Sequence, residues 1–267
     1  MFKDITIGQY VDGDSPIHKL DARVKILLSM VYIVVLFCVR SFTAYAVFVT
    51  FTAVVIFISK IPLRYIIRGL KPIMYILIFT AIINLFMSGG ETVLWQSERF
   101  GWLKITEEGL ISAAQMALRL ILLVVGTSLL TLTTTPIMLT DGIEKILTPF
   151  KVIKVPAHEI AMMMTIAIRF IPTLSEETDK IIKAQKARGA DFESGNIFKR
   201  VKAMVPILIP LFISAFKRAD DLAIAMDSRC YNSGKKRTRM KQMKMTWRDA
   251  VAASLMLVFC TGIFLIR

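Results

Sequence analysis

Residues 41–59 read SFTAYAVFVTFTAVVIFIS, a run of nineteen residues that contains no charged side chain. As a helix this run is about 28 Å long at ~1.5 Å per residue, close to the ~30 Å hydrocarbon core of a bilayer. It therefore predicts a membrane-spanning helix. Three further uncharged runs of comparable length predict three more spans, at 72–90, 120–140 and 250–266.

A fifth and shorter apolar run, 26–39, reaches membrane length only if Arg23 and Lys25 extend their charged ends to the membrane surface. The chain is thus expected to be an all-α integral membrane protein with about five transmembrane helices. The fourth span is expected to begin near Glu108, which places Arg119 inside it. An intramembrane charge is a candidate functional group, and contact with a neighbouring helix is the simpler interpretation.

The composition excludes several other classes of protein. The 267 residues are 55% hydrophobic, and 34 Lys and Arg against 20 Asp and Glu give a net charge of +14. This hydrophobicity excludes a disordered chain and disfavours an ordinary soluble domain. Three cysteines, Cys38, Cys230 and Cys260, are too few for a disulfide framework. Two distant histidines without a Cys-x-x-Cys pair argue against a zinc site, and no cofactor is expected in this chain.

Lysine and arginine are concentrated in alternate loops, which sets the expected orientation in the membrane. The segment before the first span is basic, the loop after it carries only Arg40, and residues 141–248 are strongly basic. The N-terminus and this long segment are therefore expected on the cytoplasmic side and the C-terminus outside. The expected division is a four-span part at 1–140, a cytoplasmic region at 141–234, and a basic anchor with the last span at 235–267.

Residues 235–248 carry seven Lys or Arg and no acidic residue. The simplest interpretation is an anchor that orients the last span, and attraction to anionic lipid headgroups is expected to accompany it. Nucleic-acid binding is disfavoured, because the stretch leads directly into a span at Trp247.

The cytoplasmic region is too apolar for a solvated loop and predicts two long amphipathic helices. The first is expected from Pro156 to Gly189, and the second from about 194–196 to Arg229. A shorter helix is expected at 136–147. Prolines lie inside both long helices and are expected to be flexible points: Pro172, Pro206 and Pro210.

The ends of the two long helices repeat one pattern at an offset of 41 residues. Each end places an arginine between small residues in the last turn, as Ala187-Arg188-Gly189 and as Ser228-Arg229-Cys230. Small neighbours leave the guanidinium free to meet carboxylates or carbonyl groups of a partner. A cation at a helix C-terminus is also favourable through the helix dipole alone, at ~0.3–1 kcal/mol. Because the surrounding pattern is duplicated, we favour two equivalent docking sites on a dimeric or pseudo-dimeric partner.

Taken together, these motifs resemble the transmembrane T component (EcfT) of energy-coupling factor transporters, the vitamin-uptake branch of ABC importers. The resemblance is carried by residues 8–25, which include GQY and HKLDARVK, by residues 169–177 with RFIP and a Glu-Glu pair, and by the two arginine motifs. Their order and spacing agree over nearly the whole chain.

The resemblance implies a non-catalytic coupling subunit in a prokaryotic plasma membrane. In that family the two arginine motifs dock in grooves on two cytoplasmic ABC-type ATPase subunits, which form a homodimer or a heterodimer. The long helices contact an integral-membrane, substrate-binding S component, and ATP and magnesium are held by the ATPases. By position, Arg188 and its neighbours are implied to contact one ATPase, and Arg229 and its neighbours the other.

The sequence itself lacks the motifs of several other function classes. The only Gly-Lys pair, Gly234-Lys235, has no glycine five residues before it, so a phosphate-binding loop is not predicted. The uncharged spans contain no Asp or Glu, which disfavours a proton relay, and neither G-x-S-x-G nor H-E-x-x-H occurs. The alternatives that remain are a self-contained secondary transporter or channel, and a membrane scaffold without a transport role.

Overall fold

The computed structural model describes residues 10–39, 41–87, 93–96, 104–153, 156–192, 196–231 and 245–266. Helices dominate these residues, which confirms the expected all-α class; one small antiparallel sheet pairs β1 (Val93–Gln96) with β2 (Lys104–Thr106). The α-helices described are α1 Ala22–Cys38, α2 Phe42–Ser59, α3 Leu63–Leu70, α4 Met74–Met87, α5 Glu107–Thr133, α6 Pro136–Leu147, α7 Ala157–Ala187, α8 Ile197–Ser228 and α9 Trp247–Ile266. Short 3-10 helices cover Lys71–Ile73 and Thr148–Ile153.

Within the described residues, four helical segments are long and apolar enough to cross a bilayer: Phe42–Ser59, Leu63–Phe86, Glu107–Thr133 and Trp247–Ile266. They overlap four of the predicted runs, and an integral membrane protein is confirmed. The fifth run forms α1, whose 17 residues make a helix about 26 Å long at ~1.5 Å per residue. The count of five spans stays a prediction.

Two of the predicted runs differ from the helices that contain them. The run 120–140 is not one helix, because α5 ends at Thr133 and α6 begins at Pro136. Proline disfavours the helical conformation in the residue before it, and the backbone is already extended at Thr134, with φ −133° and ψ 126°. Within the run 72–90, the residues described as α4 form the second half of a longer element, since α3 and a 3-10 turn lead directly into α4.

Residues 10–142 and 245–266 form one compact unit, called here the spanning unit. Its core lies between α1, α2, α5 and α9, where Leu36 and Phe48 are fully buried. The ring of Phe259 in α9 lies against Phe48 and Phe51 of α2, with centroid distances of 4.8 and 4.0 Å. Inside a membrane such packing stabilises through van der Waals contact, because lipid is as apolar as the side chains.

Tyr32 of α1 packs closely against α5. Its hydroxyl donates to the Leu122 carbonyl at 3.1 Å and lies 3.0 Å from the Thr52 hydroxyl of α2. The ring lies over Gly126, where a side-chain carbon would overlap it. Glycine at this position therefore permits the close approach of α1 to α5.

A buried polar network joins the first and last helices. The Asp21 N–H donates to Asp249 Oδ1 at 2.8 Å, so the N-termini of α1 and α9 lie side by side. Lys25 Nζ donates to the carbonyls of Thr133 at 2.9 Å and His18 at 3.1 Å, which places the end of α5 beside the start of α1. Helices α1 and α9 therefore begin at one end of the spanning unit, and α5 ends there. The sequence did not single out Lys25 or Asp249 as partners.

Arg119 of α5 contacts a neighbouring helix, as the simpler interpretation predicts. Its Nε donates to the Tyr45 hydroxyl and its Nη2 to the Val39 carbonyl, both at 3.0 Å. The guanidinium also lies over the ring of Phe37, 6.0 Å from its centroid. Because Val39 is the C-cap of α1, Arg119 satisfies a carbonyl that a helix end leaves without an intrahelical partner.

Candidate docking motifs on a pair of long helices

Residues 143–231 form a second compact unit, called here the helix-pair unit, which contains the two long helices. Helix α7 runs from Ala157 to Ala187 with Pro156 as its N-cap, and α8 runs from Ile197 to Ser228. The shorter helix α6 has the predicted bounds of Pro136–Leu147. Both long helices continue through their prolines, so the three prolines lie inside regular helix rather than at its ends.

The two long helices cross in an antiparallel direction. Near one end, the Tyr231 hydroxyl donates to the Met162 sulfur. In the middle, Arg218 of α8 pairs with Glu177 of α7 at 3.1 Å. A hydrogen bond from Ser214 lowers the pKa of the Glu177 carboxyl, and the charge of Arg218 lowers it further, so this pair is ionised at neutral pH.

Towards the other end, Gln185 of α7 reaches the backbone of α8. Its Nε2 donates to the Pro206 carbonyl at 3.4 Å, a long hydrogen bond. In a regular helix that carbonyl accepts from the residue four positions later, which here is Pro210 and has no N–H. A side chain of one helix thus satisfies a carbonyl that a proline in the other helix leaves unpaired.

The C-terminus of α7 forms a Schellman motif around Arg188. The Ala190 N–H donates to the Gln185 carbonyl and the Gly189 N–H to the Lys186 carbonyl, both at 3.0 Å. Gly189 has φ +88°, the left-handed conformation that this motif requires. Arg188 is therefore the C-cap residue, at the point where the chain turns away from the helix.

The C-terminus of α8 repeats this geometry at the offset of 41 residues. The Tyr231 N–H donates to the Met226 carbonyl at 3.0 Å, and the Cys230 N–H to the Asp227 carbonyl at 2.8 Å. Cys230 has φ +55° and occupies the left-handed position that glycine holds in the first motif. The sequence repeat is thus a repeat of backbone structure, with Arg229 in the position of Arg188.

The six residues predicted for docking are all exposed: Ala187, Arg188, Gly189, Ser228, Arg229 and Cys230. Among the residues that the structure describes, neither guanidinium has a hydrogen-bond or ion-pair partner. The antiparallel crossing places the motifs at opposite ends of the pair, because Tyr231 lies beside Met162 while Arg188 ends α7. From Met162 to Arg188 the helix is roughly 40 Å long at ~1.5 Å per residue.

Much of the surface of α8 is apolar and uncovered. Phe198 is 85% exposed and Phe216 is 68% exposed, which is unusual for side chains of this size. Other large apolar side chains of the same helix are also exposed: Val201, Met204, Val205, Leu208, Ile209, Phe212, Ile213 and Ile224. Within the described residues, no cluster of three or more His, Cys, Asp or Glu is placed to hold a metal ion.

The membrane spans and the pair of long helices define the class of the protein, a helical protein that is integral to the membrane. A family model described as "CbiQ: Cobalt transport protein" matches residues 13–240. Relatives named "Energy-coupling factor transporter transmembrane protein EcfT" match along nearly their whole length. The one from Clostridium kluyveri is 60% identical over 97% of this chain and 95% of its own length. The Ruminiclostridium cellulolyticum relative is 54% identical over 100% and 98%, and the Bacillus subtilis relative is 43% identical over 100% of both chains.

This chain therefore belongs to the EcfT family, the transmembrane proteins of energy-coupling factor transporters. The resemblance predicted from the motifs is confirmed. The chain is a membrane-embedded component of a transporter that has other subunits.

Proposed function

We propose that the chain is the coupling subunit of an ATP-driven importer of a vitamin or another micronutrient. It links two cytoplasmic ABC-type ATPase subunits to a membrane-embedded, substrate-binding S component. ATP and magnesium are bound by the ATPases, and this chain supplies no catalytic group. The N-terminus and the helix-pair unit lie on the cytoplasmic side of a prokaryotic plasma membrane, and the C-terminus lies outside.

The observation that carries this proposal is the pair of matching arginine caps. Arg188 and Arg229 each end a helix in the same Schellman motif, exposed and flanked by small residues. A guanidinium without an internal partner offers five donors in a fixed plane, which suits the carboxylates or carbonyl groups of a protein groove. Because both caps share one backbone geometry, the two grooves are expected to be alike, as they are in an ATPase dimer.

The separation of the motifs supports two subunits rather than one. The helix between them is roughly 40 Å long at ~1.5 Å per residue, which exceeds the ~30 Å diameter of a small domain. A homodimeric or heterodimeric ATPase provides two grooves on separate bodies. When ATP binding brings these bodies together, the ends of α7 and α8 follow them.

The movement reaches the S component through the helix pair itself. Pro172 of α7, and Pro206 and Pro210 of α8, each remove a helical hydrogen bond and provide points where the helices bend. The exposed apolar face of α8, with Phe198 and Phe216 on it, is the surface that we expect the S component to cover. A change in the crossing angle then changes the orientation of the S component.

The test reverses the charge of both caps in the complete transporter. With Arg188→Glu and Arg229→Glu together, the two ATPases are expected to be lost from the purified complex while the chain stays in the membrane. The matched control is Lys183→Glu with Lys217→Glu, which makes the same charge change at exposed positions on the same helices. Co-purification of the subunits and uptake of the radiolabelled vitamin are measured.

Full assembly and uptake by the double arginine variant would contradict docking through these caps. Substrate uptake by this chain alone in liposomes would contradict the coupling role and favour a self-contained secondary transporter or channel.

A further inference from the structure

A cleft of about 760 Å³ lies inside the spanning unit, between α1, α2, α5 and α9. Its walls are mostly apolar side chains, including Leu28, Val55, Leu129 and Met256. Several wall residues on α2 and α9 are also exposed on the outer surface of the unit, among them Ile58 and Leu255, which is 60% exposed. A lipid-facing surface and the cleft therefore share side chains, and the cleft is reachable from the bilayer.

The few hydroxyl groups in the cleft are already hydrogen-bonded within the protein. Tyr32 donates to the Leu122 carbonyl, and the Thr52 hydroxyl donates to the carbonyl of Phe48. The Ser29 hydroxyl donates to Ile26, and the Thr133 hydroxyl to Leu129. The interior thus offers no donor that needs a ligand, which favours a hydrocarbon occupant over a polar solute.

One end of the cleft is charged. Lys19, Lys25 and Arg248 line it there, beside Trp247, which is 73% exposed. This is the end at which α1 and α9 begin, since Asp21 and Asp249 are hydrogen-bonded to each other there. Amphipathic Trp side chains are typical of the membrane–water boundary.

The acidic groups at this end, which include Asp14 in the wall of the cleft, have partners within the protein. Asp14 pairs with Lys19 at 3.1 Å, with both side chains at least half exposed, so water weakens their attraction. Asp249 accepts hydrogen bonds from Asp21 and Thr246. Arg248 makes no hydrogen bond or ion pair with any residue in the described part of the chain. Its charge is available to an anion.

The depth of the cleft corresponds to one leaflet of a bilayer. On α9 the wall runs from Trp247 to Phe259, about 18 Å at ~1.5 Å per residue. On α1, α2 and α5 the wall covers residues 25–32, 51–58 and 126–133, and each of these segments is about 10 Å long at ~1.5 Å per residue. Half of a ~30 Å hydrocarbon core is ~15 Å.

We propose that this cleft binds an anionic phospholipid from the leaflet at the Trp247 end. An acyl chain lies along α9 as far as the stacked rings of Phe51 and Phe259, and the headgroup phosphate lies against Arg248 and Lys19. The cleft is charged at one end, and the hydroxyl groups of its uncharged interior are already hydrogen-bonded within the protein. A phospholipid matches this distribution, because the charge of a phospholipid is confined to its headgroup. The proposal does not depend on ATPase docking.

The test uses Trp247 as the reporter in the full-length chain, with Trp95→Phe and Trp102→Phe removing the other two tryptophans. The protein is reconstituted in phosphatidylcholine vesicles that contain either phosphatidylglycerol or phosphatidylcholine with brominated acyl chains, which quench indole fluorescence. Half-maximal quenching is expected at a roughly fivefold lower fraction of the brominated phosphatidylglycerol. This is the preference that one unpaired basic residue gives, because Lys19 is already paired with Asp14.

Two pairs of variants separate the headgroup from the acyl chain. Arg248→Gln with Lys19→Gln should abolish the preference for phosphatidylglycerol, whereas Arg64→Gln with Arg68→Gln on α3, outside the cleft, should keep it. Ala252→Phe, which fills the cleft, should reduce quenching by both lipids. Leu257→Phe, on the exposed face of α9 outside the cleft, should not.

Equal quenching by the two brominated lipids in the reporter protein, whose cleft carries no substitution, would overturn the proposal. The proposal is also overturned if Ala252→Phe and Leu257→Phe change the quenching of Trp247 to the same extent. Protection of Trp247 from both lipids would mean that a protein segment, from a partner or a second copy of this chain, fills the cleft, and this also overturns the proposal.

Discussion

Gly189 and Cys230 have the same left-handed backbone conformation, but only glycine adopts it without strain. For other residues the side-chain carbon approaches the next carbonyl oxygen, at a cost of about 1–2 kcal/mol. Cys230 is exposed, and its motif has the same two Schellman hydrogen bonds as that of Gly189. The second arginine cap is therefore held in a more strained turn than the first.

This strain predicts opposite effects of two substitutions. Cys230→Gly should raise the free energy of unfolding of the helix-pair unit by about 1 kcal/mol, because it relieves the left-handed strain. Gly189→Ala should lower it by about 1 kcal/mol, because no atom lies within 4 Å of the added carbon and only the backbone conformation is penalised. Thermal unfolding in detergent measures both; effects of the same sign would contradict the shared geometry.

The sequence predicted the identity of these arginines, since Arg188 and Arg229 stand at equivalent places in a repeat. It did not predict that Cys230 replaces glycine in the left-handed position, because cysteine is not a residue that signals such a turn. Hydrogen bonds around a helix end depend on backbone angles, and residue types report those angles well only for glycine, asparagine and proline.

At the scale of elements, Gln185 and the prolines of α8 connect the two long helices. Pro210 leaves the Pro206 carbonyl without its helical donor, and Gln185 of α7 donates to it instead. The contact links the bending of α8 to its neighbour, since a change in the proline segment alters the distance to Gln185.

Replacing Pro210 should weaken this link. Pro210→Ala restores an N–H that bonds to the Pro206 carbonyl within α8, which should stabilise the helix by up to ~3 kcal/mol and stiffen it. If α8 bends during transport, uptake per ATP hydrolysed should fall in the reconstituted transporter, while assembly stays intact. Gln185→Ala is the matched comparison, because it removes only the side-chain bond. Unchanged uptake with Pro210→Ala would show that bending at this position is not required.

Periodicity predicted the two long helices and α6 at Pro136–Leu147 well, because amphipathic helices in water show a clear polar and apolar face. The spans were located, but their predicted limits differ from the bounds of the helices. Helix α5 ends at Thr133 inside an uncharged run, and α3 adds a helical segment at Leu63–Leu70, before the predicted run 72–90. Hydropathy indicates which residues are apolar enough to lie in lipid. It does not indicate at which residue the helical hydrogen bonding stops.

At the scale of the whole molecule, the spanning unit is closed by contacts between distant parts of the chain. Asp21 and Asp249 are 228 positions apart and join at 2.8 Å, and Lys25 is 108 positions from Thr133, whose carbonyl it contacts. Such partners have no local signal in the sequence, so the motif around His18 and Lys25 could be recognised only through its family resemblance.

The hydrogen bond between Asp21 and Asp249 predicts a loss of stability when Asp249 is replaced. Asp249→Ala leaves the buried N–H of Asp21 without an acceptor, which should lower the free energy of unfolding by about 1–3 kcal/mol. Asp14→Ala, at an exposed ion pair, should cost less than about 1 kcal/mol. Thermal unfolding of the full chain in detergent compares the two. Equal stability of the two variants would show that the link between α1 and α9 does not hold the spanning unit together.

The link between Asp21 and Asp249 also has a consequence for biosynthesis. A ribosome adds about 5–20 residues per second, so Asp249 is made roughly ten to fifty seconds after Asp21. During that interval α1 lacks its last neighbour, and the N–H of Asp21 must be satisfied by another acceptor such as water. A nascent chain that stops before α9 therefore presents a helix start whose Asp21 N–H lacks its native acceptor.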